Sequence, residues 1–251
     1  MIREEYMEKN NFGDRMKLYE NAYRMYLPQR LPVIIRIDGN HFHTFTKGMD
    51  KPFDEKLISA FWETCKYLGE NIMGCKLIYH QSDEISLLLT NYDSIQTQSW
   101  FKNNLQKMVS ISASLATARF NEVIRESYPK KPLAIFDARA WIVPHEEVTN
   151  YFLWRQQDAA KNSVSMVACA HFSHRDVHGL SNSQLQEKMF QEKGINWDSL
   201  PVWEKRGACC VNVEYMKGDV VRRSWQIDKN IPMFSKDRNY VEQYVYPKKD
   251  I

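Results

Sequence analysis

Two acidic positions carry the chemistry this sequence could do: Asp38, at the end of the β-branched run 33–37, and Asp83-Glu84, set between the apolar runs CKLIY and EISLLLT. Carboxylate oxygens suit a hard divalent cation, and phosphoryl transfer uses two such ions about 4 Å apart to assist the attacking and leaving oxygens. Gly39 lets the backbone come close to an ion or a phosphate, and the turn 39–43 offers main-chain N–H groups that could cradle a triphosphate. Lys47 and Lys51 follow within reach of further phosphate charge. An Asp-Gly pair also makes an ordinary turn, and Asp83-Glu84 an ordinary solvated hairpin tip. The two readings separate on whether the fold brings the acids together.

The surrounding periodicities supply such a fold. Met16, Tyr19, Tyr23, Tyr26 and Leu27 fall at helical spacing over 13–27, and Pro28 closes that helix. Residues 33–37 read as a strand, and 53–72 as a helix with Leu57, Ile58, Phe61, Trp62, Cys65, Leu68 and Ile72 on one face. The two runs flanking residues 80–83 form a hairpin, 99–125 a long helix, and LAIF at 133–136 a fourth strand. Strand, helix, strand, strand, helix, strand is the split βαββαβ unit of ferredoxin-like sheets. There the first strand lies antiparallel to the third, so Asp38 at the end of one meets Asp83-Glu84 at the start of the other. The expected class is α+β, a ferredoxin-like antiparallel sheet with helices on one face over residues 1–140. Residues 141–251 form a helical and β-hairpin region: helices at 145–170 and 181–192, the first with small residues from Ala159 to Ala170 suited to close packing, then a hairpin over 208–227.

Composition narrows the class without identifying a partner. The chain has 251 residues, is 43% hydrophobic, and carries 34 Lys and Arg against 31 Asp and Glu. A core is assured and disorder excluded, while a formal charge of +3 is too small to mark a nucleic-acid binder. No apolar run reaches the ~18 residues of a membrane span, and MIREEYMEKNN lacks the apolar centre of a signal peptide, so a cytoplasmic protein without membrane association is expected. Five cysteines without a CxxC pair imply reduced, mostly buried thiols.

RIDGNHFHTF at 36–45 with KPFD at 51–54 resembles the RIDGRGFHRF…KPND signature of the tRNA-His guanylyltransferase family, and YHQSDEISLLL at 79–89 resembles its YGQSDEYSFVF. FDARAWIVP (136–144), YFLWRQQD (151–158) and EKGINWDSLPVWEKRG (192–207) are similar to further segments, so the resemblance covers about 30–207. It implies a polymerase-palm-like catalytic core that adds nucleotides to the 5′ end of tRNA with two Mg²⁺ ions. Carried over, Asp38 and Asp83 bridge the metals with the Gly39 carbonyl as a further ligand, and Glu84 supports them. Asn40, His41, Phe42 and His43 hold a nucleotide triphosphate through their backbone, with Ser82 and Lys51 beside them. The implied partners are tRNA with ATP, GTP and other NTPs, and the implied assembly is a homotetramer. AKNSVSM at 160–166 departs from the HINNLYN of the eukaryotic enzymes, keeping Asn162. That favours the guanylyltransferase-like branch of bacteria and archaea, a template-dependent 3′-to-5′ polymerase repairing truncated tRNA 5′ ends. Guanosine addition to tRNA-His, a silent palm-fold RNA-binding protein and a nucleotide cyclase are the other readings.

Arg155, Lys161, Lys205-Arg206, Arg222-Arg223, Lys236, Arg238 and Lys248-Lys249 are the cationic candidates for RNA phosphates. Residues 217–251 hold eight Lys and Arg against five Asp and Glu, which makes this region the better place for an RNA surface. Cys169, His171, His174 and His178 form a patch with partial metal-ligand spacing, but Gly179 nearby marks a helix end, where histidine also suits the dipole. Trp141, Trp154, Trp197, Trp203 and Trp225 are read mainly as packing, with base stacking an open alternative.

Overall fold

The computed structural model describes residues 12–246. In chain order the elements are α1 (Phe12–Ala22), β1 (Val33–Gly39), α2 (Phe42–Phe45), α3 (Glu55–Asn71), β2 (Cys75–Gln81), β3 (Glu84–Leu89) and α4 (Leu105–Ser127). There follow β4 (Phe136–Ile142), α5 (His145–His171), α6 (His174–Val177), α7 (Asn182–Lys193), α8 (Val202–Arg206), β5 (Ala208–Lys217), β6 (Val220–Asp228) and α9 (Asn239–Glu242).

The strands make one antiparallel sheet in the order β4-β1-β3-β2-β5-β6. The first four positions are the ferredoxin-like arrangement, and the C-terminal hairpin extends it beyond β2. Period-two alternation sorts side chains between two cores. Ile35 and Ile37 of β1, with Ile85 and Leu87 of β3, face α3 and α4 through Phe61, Leu68, Met108 and Phe120. Ile34, Leu77, Tyr79 and Leu88 face the opposite side, where Val148, Tyr151 and Phe152 of α5 cover them together with Ile231, Phe234, Val241 and Val245. Gly69 of α3 lies so close to Trp225 that an added Cβ would meet its ring at 2.4 Å, which locks β6 onto the helix layer.

Helix starts follow side-chain caps. Asp54 accepts from the Leu57 amide at 2.9 Å, so α3 begins at Glu55, and Asn104 accepts from the Lys107 amide at 3.0 Å, so α4 begins at Leu105 and not at 99. Residues 100–103 form a 3₁₀ turn whose last three residues have positive φ.

Two expectations are corrected. The N-terminal helix ends at Ala22, not at 27, and its aromatic stripe is exposed, with Tyr19 67% and Tyr23 78% accessible. LAIF is not the fourth strand: Ala134 is held by the Asn121 side chain, which accepts from its N–H and donates to its C=O at 2.8 Å. With that backbone engaged, pairing with β1 starts at Phe136, opposite Gly39. Among the described residues no helix is long and apolar enough to cross a membrane.

Candidate active site

The β1–β3 register places Asp38 opposite Glu84, and the Gly39 N–H donates to the Asp83 carbonyl at 3.1 Å. The two sequence-distant acids therefore share one sheet edge. Burial pushes the Asp83 carboxyl above its ordinary pKa, and the negative charge of Asp38 adds to the shift. Among the described residues, no Lys or Arg forms an ion pair with Asp38 or Asp83. Two unneutralised carboxylates and the Gly39 carbonyl are a hard, all-oxygen donor set that suits a small divalent cation. No group of three His, Cys, Asp or Glu side chains among the described residues could hold a metal by itself, so phosphate or water oxygens would have to complete the shell.

The tip carrying Asp83 is a two-residue turn with Ser82 at φ 51°, a left-handed position. Two further contacts hold it. Ser82 Oγ donates to Asp83 Oδ1 at 3.1 Å, and His80 Nε2, 3.0 Å from the Ser82 carbonyl, donates to it. His80 is buried, stacks on Phe61 at 4.7 Å, and stands where the family signature has glycine. Burial lowers its pKa to about 4. The unfolded chain takes up this proton near pH 6.5 while the folded protein resists until about pH 4, so stability contributed at neutral pH is lost as pH falls through that window, by about 3 kcal/mol at 1.36 kcal/mol per unit. His80→Gln is expected to flatten the dependence of the urea midpoint on pH between 6.5 and 4. A slope equal to that of the wild type would contradict the assignment.

After Gly39 the chain turns through His41, which has φ 54°, into the single turn α2. Phe42 anchors this turn in the core, within 5.1–5.6 Å of the rings of Phe45, Phe61, Phe120 and Phe136. The Asn40 N–H donates to the Ile135 carbonyl at 2.8 Å, and the Asn40 and His41 side chains contact each other. The Asn40 amide is thus engaged already, a correction to the expected four-residue backbone cradle. The Thr44 and Phe45 N–H groups both donate to the His41 carbonyl, at 3.0 and 3.3 Å, so the Phe42 and His43 amides are the ones that remain for an anion. Lys131 donates to the carbonyls of Phe45 and Lys47, both at 2.6 Å, and fixes the far end of the turn.

These pieces open on a cleft of about 540 Å³. Gly39, His41, Phe42 and His43 line one side, Lys51 another, and Ser82 and Asp83 the tip. The wall opposite comes from α5 and α8 and was missed by sequence reasoning: Asn162, Ser163, Met166 and Cys169, with Trp203 and Glu204. Its signal was the small-residue run from Ala159 to Ala170. One side of that run packs on α7 through Val164, Val167 and Ala168, as expected, while Ala159, Ser163 and Ala170 leave the cleft open.

Glu84 and Arg155 differ from expectation. Glu84 is buried beneath α5, and Arg155, expected at an RNA surface, is buried against it: Arg155 Nε donates to Glu84 Oε1 at 2.8 Å and Nη2 to Asp158 Oδ2 at 2.9 Å. Burial pushes the Glu84 carboxyl up, and the guanidinium opposes that shift. Lys161, Arg222 and Arg223 are exposed, Arg223 being paired with Glu214 at 2.6 Å. Lys248-Lys249 lie outside the described residues. The His174 and His178 rings are 5.2 Å apart, and His171 Nδ1 contacts the Val167 carbonyl at 2.9 Å.

Comparison with known proteins gives this geometry a family. The family model for tRNAHis guanylyltransferase matches residues 13–144, more than half of the chain. The tRNA(His) guanylyltransferase of Saccharomyces cerevisiae is 28% identical over 225 residues, 80% of this chain and 90% of the yeast protein. A bacterial tRNA(His) guanylyltransferase-like protein in complex with ATP is 62% identical and superposes with a TM-score of 0.90, covering 95% of this chain and all of that one. A structure of such a bacterial protein with GTP is 60% identical, with a TM-score of 0.81, covering 93% of this chain and 98% of that one. With both the signature-bearing half of the sequence and the fold around the paired acids accounted for, the chain belongs to the tRNAHis guanylyltransferase family of nucleotidyltransferases.

Proposed function

We propose that this protein is a template-dependent 3′-to-5′ nucleotidyltransferase that rebuilds truncated 5′ ends of tRNA. The observation that carries the reading is the Asp38/Asp83 pair, unneutralised and joined at one sheet edge that opens on a nucleotide-sized cleft. The bacterial neighbours' complexes with ATP and GTP support the assignment of the cleft to an NTP.

In the proposed reaction the 3′-hydroxyl of the incoming nucleotide attacks the 5′-phosphate of the tRNA. Pyrophosphate leaves when the end is a triphosphate, or a nucleoside monophosphate when a 5′-monophosphate has first been activated by ATP or GTP. The Phe42 and His43 amides at the start of α2, with Lys51, neutralise the triphosphate, and Ser82 braces the tip that carries Asp83. Asp38, Asp83 and the Gly39 carbonyl would hold two Mg²⁺ ions, which when bound stabilise charge on the attacking and leaving oxygens. The α5 and α8 wall encloses the base, and Lys161, Arg222 and Arg223 supply RNA contacts from the second half of the chain. The reading extends to a cytoplasmic homotetramer, for which the exposed aromatic residues of α1 offer apolar surface.

Purified protein with Mg²⁺ and labelled NTPs is expected to lengthen tRNAs lacking their first 5′ nucleotides. Addition of a single guanosine to tRNA-His, with no extension of truncated tRNAs, would overturn the choice of branch.

A further inference from the structure

The cleft is made of two bodies: the acid-bearing sheet edge, and α5 with its wall of small side chains. Their relative placement passes through one buried guanidinium. Arg155 is 5% exposed, lies against the Trp154 ring at 4.3 Å, and divides its donors between an acid of the sheet and an acid of its own helix. On the sheet side, Glu84 Oε1 also accepts from Ser86 Oγ at 3.2 Å, and Ser86 Oγ meets the Tyr151 hydroxyl at 2.7 Å. Glu84 stands opposite Asp38 in the strand register and directly follows Asp83 in the chain, so whatever orients Glu84 acts on both acids. On the helix side, Asp158 Oδ2 accepts weakly from Asn162 Nδ2 at 3.5 Å, and Asn162 lines the cleft. The links run in order from strand end to cleft wall: Glu84, Arg155, Asp158, Asn162.

A buried ion pair is a poor way to gain stability, since well-packed apolar side chains of similar volume do as well or better. Its use here is directional. A guanidinium presents donors in a rigid plane and can serve two acids at fixed angles, whereas an ammonium on a flexible stem cannot. Side chains that orient ligand-bearing groups without touching the ligand change metal affinity or activity by about 10- to 100-fold when replaced.

We propose that Arg155 is a positioning residue for the transfer reaction: by gripping Glu84 and Asp158 together it sets the Asp38/Asp83 edge against the α5 wall of the nucleotide cleft. The inference rests on the nucleotidyltransferase reading of the site, and on the paired geometry in particular. It places Arg155 away from the RNA, so tRNA affinity should not depend on its charge.

A double-mutant cycle tests it. Arg155→Met leaves Glu84 buried without its partner and lowers stability, whereas Arg155→Met combined with Glu84→Gln removes the orphaned charge and serves as the folded control. Two quantities are measured on wild type, both single variants and the double variant: Mn²⁺ affinity in the presence of ATP, read by electron paramagnetic resonance, and the turnover number for nucleotide addition. Each single variant is expected to lose about 10-fold or more in both, and the double variant no more than the larger single loss, because Arg155 acts through Glu84. Arg155→Lys should lose activity although it keeps the charge. The salt slope of tRNA binding should stay at the wild-type value in all variants. Losses that multiply in the double variant, recovery of wild-type activity in it, or a shallower salt slope on losing Arg155 would each overturn the proposal. A wild type that binds Mn²⁺ and ATP yet extends no tRNA would defeat the functional reading, while the Mn²⁺ cycle still decides the role of Arg155.

Discussion

Asp83→Ala is expected to slow nucleotide addition on the order of 10³-fold, about 4 kcal/mol of transition-state stabilisation, while the protein stays folded. The sign of the stability change follows from electrostatics. The Asp83 carboxyl is raised, first by burial and then by Asp38, so its folded pKa lies above that of the unfolded chain. Such an acid favours the fold below its unfolded pKa, and that contribution disappears as pH rises through the folded value. Above that folded value, without a cation, the buried Asp83 carboxylate costs the fold stability, and alanine at 83 should leave the unfolding temperature unchanged or raise it. Mg²⁺ with ATP should stabilise the wild type, since a ligand bound to the folded state alone adds RT ln(1 + [L]/Kd), and should stabilise the variant much less. Thermal unfolding with and without Mg²⁺ and ATP, beside transfer rates, checks all three statements. Transfer at the wild-type rate would sink the assignment of the acid, and loss of transfer accompanied by unfolding would make Asp83 a structural residue.

Gly39→Ala should be the most damaging small substitution near the site, for a different reason. Gly39 does not have a positive φ, so its backbone conformation admits a side chain, but an added Cβ would stand 2.2–2.7 Å from three atoms of the Phe42 ring. That ring cannot retreat, because four other phenylalanines hold it. Overpacking of this kind costs about 1–3 kcal/mol, occasionally more, and here the displaced side chain is the anchor of the α2 turn. Stability and nucleotide affinity should therefore fall together, unlike the outcome at Asp83. Gly39→Ala combined with Phe42→Leu should recover part of the stability by making room. A Gly39→Ala protein with wild-type urea midpoint and ATP affinity would contradict the packing described.

These contrasts show which features a sequence can announce. Asp38 and Asp83 were legible because each ends a short apolar run and a single topological rule makes the two runs neighbours. The covering of the second sheet face by α5 was only partly legible. Period-two patterns tell which side chains share a face, but not that β5 will pair with β2 across more than a hundred residues of chain. Arg155 misled because positive charge ordinarily means solvent. The corrective signal was local: Val148, Phe152, Arg155 and Ala159 recur at helical spacing, and all are buried, so a cation in that stripe needed acids opposite it. The fourth strand was misplaced because FDARAWI alternates charge with small residues, whereas the apolar LAIF looked more strand-like yet is tied to a side-chain amide.

The most direct test is templated addition to one tRNA lacking its first 5′ nucleotide, prepared in four forms that differ only in the nucleotide opposite the gap, with all four NTPs and Mg²⁺ present. Wild-type protein should add the complementary nucleotide in each form, and Asp83→Asn should add none. Addition of the same nucleotide to all four forms, or equal addition by the Asp83→Asn protein, would contradict a templated polymerase built on the Asp38/Asp83 edge.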